Sequence, residues 1–285
     1  MNEEEVSAGI SLAILSFVTG VTFNGTIRFS SYLSVISLLI FSANILLQVQ
    51  KVCPFNKSRR LKEALVTFVL GMLTVNSFSY MADYLPLRLQ IYIASLGLYH
   101  YMEYLYVCYF HYVQLTFDSF LLNQSPQYMI AVLISFIEFS LFYNYYDMCE
   151  NLPSFLSFGL TAFGLIMIIV GHFFRIGAEF TAGYNFNHKI QFYKEDRHKL
   201  VTDGLYSVCR HPSYLGWFLW AVGTQLFLLN PVSTLLFFGS SWYFFRHRIE
   251  IEEEILYDFF KDEYRIYCSR TPILIPFING FQDYE

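Results

Sequence analysis

Charged side chains are scarce in this sequence: they make up 14% of its residues, whereas a soluble domain carries about 25%. Hydrophobic residues account for 55% of the chain and aromatic residues for 20%. The shortage of charge and the long apolar runs exclude an ordinary soluble domain and predict an integral membrane protein. The net charge of -5 gives no indication of nucleic-acid binding.

Motifs of soluble enzymes are also missing. The sequence contains neither a GxGxxG loop nor a P-loop, so it does not predict a soluble-type nucleotide fold. Its 5 cysteines are scattered without CxxC spacing, which predicts neither a metal site nor a disulfide framework. The first residues, MNEEEV, lack the positive region of a secretory signal peptide, so we expect the first apolar run to be retained.

Apolar runs that can each cross a bilayer, which takes about 20 residues, recur through the first part of the chain. They lie at residues 8–25, 31–49, 64–82, 89–113, 127–146 and 154–176. We divide the chain accordingly into an N-terminal set of about six membrane helices, residues 1–176, and a catalytic region, residues 177–285.

A further apolar pair, 213–230 and 231–246, is joined by Asn230-Pro231. Because proline is favoured in the first turn of a helix, this junction predicts a tight turn between antiparallel helices. We expect a separate charged, amphipathic helix over residues 247–270. The predicted fold is all-α, with about eight transmembrane helices and a C-terminal helical hairpin.

The distribution of basic residues predicts the orientation. With both termini cytosolic, every Lys and Arg except Arg28 and Arg88 falls in an inner segment, as the positive-inside rule requires. The hairpin then begins and ends on the cytosolic face. Arg210-His211 before it and Arg246-His247-Arg248 after it are therefore expected to meet there as one polar site.

Residues 177–210 form a polar connector that is long for a link between membrane helices. Arg248 and Glu252, four apart, share one helix face. The plainer interpretations are a solvated ion pair and a membrane-boundary arginine. The long connector and the apolar surroundings favour a site for a zwitterionic ligand and a partner with an apolar part.

Other polar residues lie within apolar runs. His172, Arg175 and Glu179 lie at i, i+3 and i+7, where they either line the mouth of the site or extend to the membrane surface. Glu103 and Glu138 are expected to be structural, since an intramembrane carboxyl group is usually protonated or paired.

The C-terminal part of the chain, from about Thr181 to Phe277, resembles the isoprenylcysteine carboxyl methyltransferase family. The resemblance is carried by TAGYNFNHKIQ, HKLVTDGLYSVCRHPSYLGWF, the Gly-Thr-Gln of the hairpin, FFRHRIEIEEE and TPILIPFI. The helix count is similar to that of the eight-helix animal members. Departures are modest: Ile251 interrupts the acidic run, and Cys209 stands where many relatives have an aromatic residue.

The resemblance implies transfer of a methyl group from S-adenosylmethionine to the carboxylate of a C-terminal prenylated cysteine. The implied substrates are processed CaaX proteins such as small GTPases, and the implied location is the endoplasmic reticulum membrane. Arg248 is implied to bind the substrate carboxylate and to act in catalysis. Matching positions imply a cofactor site made of Gln191, His198, Lys199, Leu200, Val201, Tyr206, His211, Pro212, Ser213, Tyr214 and Glu252. No metal and no nucleic-acid partner are expected.

The implied chemistry agrees with the residue types. A carboxylate is ionised near neutral pH, so its methylation requires alignment and desolvation and no general base. Arg248 can bind a carboxylate through two hydrogen bonds. Glu252 is expected to balance the methionine ammonium group, and His211 or nearby backbone N–H groups the methionine carboxylate. We expect Tyr206, Leu200 and Val201 to enclose the adenine.

Other functions remain open at this point. A phospholipid N-methyltransferase or an NADPH-dependent sterol reductase can share the RHPxY motif. A transporter or receptor is a further alternative, but it would place functional polar groups near mid-membrane on several helices.

Overall fold

A computed structural model describes residues 3–27, 63–71, 85–122, 125–145, 152–196 and 198–280. Within these ranges the regular elements are helices, as predicted. The predicted span 31–49 lies outside the described residues, and so does most of 64–82. The chain forms two compact units, Met1–Gln124 and Ser125–Glu285. The predicted division of the chain at residue 176, into N-terminal membrane helices and a catalytic region, stays a prediction.

The first unit contains α1 (Glu3–Ile27), a helical stretch α2 (residues 63–71) and α3 (Leu87–Phe110). Buried polar groups in it form hydrogen bonds. The Tyr104 hydroxyl donates to Glu63 at 3.0 Å, and His100 Nδ1 lies 2.9 Å from the carbonyl oxygen of Phe120. Such bonds offset the cost of burying polar atoms in an apolar environment.

The second unit contains α4 (Pro126–Tyr145), α5 (Ser154–Ala182), α6 (Pro212–Leu228), α7 (Pro231–Phe260) and α8 (Asp262–Arg270). Among the described residues, α4 and the stretch Ser154–Asn185 are long and apolar enough to cross a bilayer. Only 17% and 28% of their apolar windows are buried. An outer surface this apolar suits lipid rather than water. The predicted count of eight spans stays a prediction.

Glycines control the packing of α5 against α6. Gly164 and Gly171 of α5 face Gly223 and Gly216 of α6, in antiparallel order. A Cβ on Gly171 would lie 2.6 Å from the Trp220 nitrogen and 2.8 Å from the Gly216 carbonyl oxygen. The two backbones are therefore in contact, an approach that larger side chains would prevent.

Side-chain and backbone groups of α4 form hydrogen bonds with the turn between α6 and α7 and hold it in place. The Glu138 carboxylate accepts hydrogen bonds from the backbone N–H groups of Val232 and Ser233, each at 2.7 Å. Asn230 Nδ2 donates to the Ser135 carbonyl oxygen at 2.9 Å. A carboxylate at a helix N-terminus satisfies N–H groups that have no partner within the helix and complements the helix dipole. These contacts give Glu138 the structural role that was expected.

The helix α7 corrects the predicted C-terminal organisation. We expected a separate helix over 247–270, but α7 runs without interruption from Pro231 to Phe260. Neither glycine nor proline stands near the expected break, and the Arg246–Glu250 ion pair, at 3.2 Å, spans it. The helix ends instead at Phe260, because the next residue, Lys261, has a left-handed φ of 48°, and α8 follows.

The glycine contacts predict a position-dependent effect of adding one methyl group. Gly171→Ala should lower the stability of the folded protein by about 1–3 kcal/mol, because its Cβ meets the backbone of α6. In a free helical position, the same change favours the helix by roughly 1 kcal/mol.

Gly159→Ala is the matched control, because a Cβ there meets nothing within 4 Å. Thermal unfolding of both variants in detergent should give a lower midpoint for Gly171→Ala alone. Equal midpoints would show that the close contact does not limit stability.

Candidate active site

A cavity lies in the second unit, where the connector meets the starts of α6 and α8 and the last turns of α7; its volume, including the part open to solvent, is about 690 Å³. The lining residues are Ala182, Asn185, Phe186, Asn187, Lys199, Leu200, Val201, Tyr206, Arg210, His211, Pro212, Ser213, Tyr214, Glu252, Leu256, Phe260, Tyr264 and Tyr267. The lining therefore combines aromatic and aliphatic walls with a few charged groups.

The connector is attached to helices on both sides. Lys199 N donates to Asn185 Oδ1 at 3.0 Å, which closes the segment back onto the end of α5. Lys194 Nζ donates to the Phe259 carbonyl oxygen at 2.7 Å and lies 4.4 Å from the ring centre of Phe260. A cation bound to the last carbonyl groups of a helix complements the helix dipole. The connector is thereby held over the end of α7.

The segment after α8 closes the site from the C-terminal side. Arg210 N donates to the Pro272 carbonyl oxygen at 2.9 Å, and Cys209 Sγ to that of Ile273 at 2.7 Å. The Tyr267 hydroxyl donates to the Tyr206 carbonyl oxygen at 2.6 Å. The residues just before α6 are therefore held by residues that come about 60 positions later in the chain. Cys209 and Ile273 are 64 positions apart, and Tyr206 and Tyr267 are 61 apart.

Tyr214 connects two charged residues of α7. Its hydroxyl donates to Glu252 Oε2 and accepts from Arg248 Nε at 2.7 Å. Arg248 Nη2 also donates to the His188 carbonyl oxygen at 2.7 Å. The shared helix face predicted for Arg248 and Glu252 is thus present, and the two groups are joined through the tyrosine.

Behind the cavity wall lies a buried ionic cluster. Glu253, which is 0% exposed, is 2.9 Å from His211 Nε2 and 3.4 Å from Arg210 Nη1. Sequence reasoning missed this role of Glu253 and assigned only its neighbour Glu252. The sequence contains a partial signal, because adjacent residues of a helix project about 100° apart, so Glu252 and Glu253 point in different directions.

A second buried cluster lies on α5. Arg175 Nε forms an ion pair with Glu179 at 2.9 Å, and Nη1 donates to Ser213 Oγ at 2.6 Å. Arg175 and Glu179 are buried, at 7% and 1% exposure. Neither Arg175 nor Glu179 lines the cavity, as one interpretation expected; both are buried, and Arg175 contacts the cavity-lining Ser213 from behind.

Most residues implied for the cofactor are brought together. Those lining the cavity are Lys199, Leu200, Val201, Tyr206, His211, Pro212, Ser213, Tyr214 and Glu252. Gln191 and His198 are outside the lining, and Gln191 Nε2 lies 3.4 Å from the Lys189 carbonyl oxygen. Arg248 is also outside the lining and contacts it through Tyr214. The role of each residue stays a prediction.

Several lining residues were not anticipated. Leu256 and Phe260 follow Glu252 at helical spacing, so the 3.6-residue repeat could have found them. Tyr264 and Tyr267 belong to α8, whose return to the site depends on the turn at Lys261. No local pattern marks that return.

Burial keeps the hydroxyl and thiol groups around the cavity protonated. It raises the pKa of the Tyr206 phenol above its ordinary value, and the Glu252 carboxylate adds to the rise. Burial also raises the pKa of the Cys209 thiol, to about 11. Tyr206, which lines the cavity, therefore presents a neutral phenol to a ligand at physiological pH.

Comparison with known proteins gives a consistent result. The sequence model of the isoprenylcysteine carboxyl methyltransferase family matches residues 164–258. The protein-S-isoprenylcysteine O-methyltransferase of Mus musculus is 46% identical over 189 residues, which cover 66% of this chain and 65% of that protein. The protein of the same name from Dictyostelium discoideum is also 46% identical over 189 residues, and 77% of its length is covered.

The solved structure of a eukaryotic intramembrane Ras methyltransferase, isoprenylcysteine carboxyl methyltransferase, is similar over almost the whole chain. Its TM-score is 0.79 at 33% identity, covering 96% of this chain and 99% of that chain. An all-helical membrane protein with a cavity at the base of a helical hairpin is the class that the fold and site define. The chain belongs to the isoprenylcysteine carboxyl methyltransferase family, and it is an integral membrane protein.

Proposed function

We propose that this protein uses S-adenosylmethionine to methylate the C-terminal carboxylate of prenylated cysteine in processed CaaX proteins. The observation that carries the proposal is the junction at Tyr214. There Arg248, whose guanidinium is suited to binding a carboxylate, and a cavity-lining acid, Glu252, contact one hydroxyl group. Groups suited to a substrate carboxylate and to a cofactor ammonium are thereby adjacent. The names of the relatives, which are protein-S-isoprenylcysteine O-methyltransferases, also support it.

The residues of the cavity fit the parts of S-adenosylmethionine. Glu252 can pair with the ammonium group, and Lys199 can donate to the methionine carboxylate. Because Nε2 of His211 faces Glu253, His211 can also donate to that carboxylate only as an imidazolium, through Nδ1. Leu200, Val201 and the neutral Tyr206 phenol provide a wall suited to adenine. When bound, S-adenosylmethionine supplies an electrophilic methyl group carried on a sulfonium.

Arg248 is placed to orient the acceptor carboxylate. Its Nε and Nη2 are held by the Tyr214 hydroxyl and the His188 carbonyl oxygen, which fixes the plane of the guanidinium. The guanidinium carbon also lies 5.4 Å from the ring centre of Tyr214 and 6.0 Å from that of Phe244. A planar, pre-oriented guanidinium aligns a carboxylate better than a flexible ammonium group would.

The reaction requires alignment but no proton transfer. A carboxylate oxygen forms a bond to the methyl carbon while the carbon–sulfur bond breaks, and the electron pair of that bond remains on sulfur. The α-carboxyl group has a pKa of about 3.3–3.7, so it is already ionised at neutral pH. Holding the two reactants in line can supply roughly 7–11 kcal/mol of the barrier. Arg248 must orient the carboxylate without strongly stabilising its negative charge, because the negative charge of the carboxylate disappears in the reaction.

The proposal includes a route and a location for the substrate. The exposed apolar surface beside Arg248, with Phe244 at 54% exposure, suits a prenyl chain that enters from the bilayer. We place the protein in the endoplasmic reticulum membrane with both termini and the site on the cytosolic side. Small GTPases with processed CaaX termini are the proposed substrates.

Methyl transfer to a minimal substrate tests the proposal. Incubation with tritiated S-adenosylmethionine should label N-acetyl-farnesylcysteine and leave the compound unlabelled when its carboxylate is already esterified. Binding of NADPH, or preferential labelling of phosphatidylethanolamine, would replace the proposal with a reductase or a lipid N-methyltransferase.

Replacing Arg248 should abolish transfer while cofactor binding persists. Arg248→Ala and Arg248→Lys should each lower kcat/KM by roughly 100-fold or more, since a small misplacement of a reactant has that effect. A lysine ammonium group cannot reproduce both hydrogen bonds of the guanidinium, to the Tyr214 hydroxyl and to the His188 carbonyl oxygen. Arg246→Ala is the control, because Arg246 pairs with Glu250 on the surface. Equal activity of the Arg248 and Arg246 variants would refute the assignment.

Replacing Glu252 should weaken cofactor binding. A hydrogen bond to a charged group contributes about 1.5–3 kcal/mol, so Glu252→Ala should raise the Kd for S-adenosylmethionine by about tenfold or more. Calorimetric titration measures the change, with the half-exposed Glu250→Ala as control. Unchanged affinity in Glu252→Ala would remove Glu252 from the site.

A further inference from the structure

Glu253 is adjacent to Glu252 in sequence but lies behind the cavity. Its side chain is 0% exposed, and its carboxylate contacts His211 and Arg210. Burying a carboxylate is costly unless it is paired and hydrogen-bonded. This one meets a permanent cation on one oxygen and an imidazole on the other. The same helix turn therefore gives one acid to the cavity and one to its supporting wall.

The C-terminal segment holds Glu253 and Arg210 from the opposite side. Arg210 Nη2 donates to the Asn279 carbonyl oxygen at 3.0 Å. Gly280, with a φ of +68°, leaves no room for a side chain, because a Cβ there would collide with Glu253 Oε2. The Glu253 carboxylate is therefore confined between the residues before α6 and the chain after α8.

This confinement determines how His211 is presented to the cavity. A carboxylate only accepts hydrogen bonds, so the contact of 2.9 Å requires the proton on His211 Nε2. The imidazole also stacks on the Tyr214 ring, at 5.4 Å between centres and 3° between planes. His211 lines the cavity, whereas Glu253 does not. Glu253 thus acts on the cavity through the orientation and tautomer of His211.

We propose that Glu253 is a positioning residue for methyl-donor binding, acting by holding His211 against the cavity. The proposal rests on the proposed function and adds a residue that does not touch the ligand. In metal sites, residues that orient a ligating group from behind change affinity by about 10–100-fold when they are replaced, and we expect the lower end of that range here. Glu253 should therefore affect the donor more than the prenylated substrate.

The test compares Glu253→Gln with Glu254→Gln in the full-length protein. Glutamine keeps an acceptor for His211 but loses the charge opposite Arg210, whereas Glu254 is exposed and serves as the control. Glu253→Gln should raise the KM and Kd for S-adenosylmethionine about tenfold. The KM for N-acetyl-farnesylcysteine and kcat at saturating donor should stay near the wild-type values. Glu254→Gln should match the wild type throughout.

Gly280→Ala provides a second variant that leaves every charge in place. Its added methyl group displaces the Glu253 carboxylate, so the donor KM should rise while the KM for the prenylated substrate does not. Wild-type donor affinity in both Glu253→Gln and Gly280→Ala would overturn the proposal. A parallel decline of kcat and of both KM values would also overturn it, since that indicates general loosening. Failure of the wild type itself to bind S-adenosylmethionine would overturn the proposed function as well.

Discussion

The close contact between α5 and α6 is the constraint on which the second unit and its cavity depend. Because glycines occupy both sides of the contact, the two helices touch through their backbones rather than through side chains. The approach brings Ser213, in the first turn of α6, within hydrogen-bonding distance of Arg175 on α5. It also requires the connector to leave and rejoin the helix pair over a short distance, so that its residues form the cavity wall. In an apolar environment, such packing replaces the hydrophobic driving force that assembles soluble helices.

Several charges of the site lie beside a compensating group. Glu252 and Arg248 share the hydroxyl of Tyr214, Glu253 pairs with Arg210, and Glu179 pairs with Arg175. An uncompensated charge would be costly at these depths. This arrangement gives the protein polar groups that are already oriented before a ligand binds, which is what a reaction governed by alignment requires. The uninterrupted α7 contributes to it, since one rigid helix carries Arg248, Glu252 and Glu253 in fixed register.

The sequence predicts correctly those features that depend on residues close together in the chain, and it predicts poorly those that depend on distant residues. Pro231 correctly marks the start of the second hairpin helix, because proline favours the first helical turn. The common face of Arg248 and Glu252 follows from their spacing. The break expected near residue 247 was wrong, because a change from apolar to charged composition does not interrupt a helix. The partner of Glu253 could not be predicted, since it depends on residues far away in the chain.

The sequence by itself determined the helical class, the membrane environment, the hairpin and the family, because composition, helical period and short motifs are local properties. Only the tertiary structure decided which acid of the run Glu252-Glu253-Glu254 faces the cavity and which supports it from behind. It also decided that the chain after α8 returns to enclose Arg210. Such contacts join positions separated by tens of residues. They depend on the direction in which each helix emerges from its neighbours, and no local pattern specifies that direction.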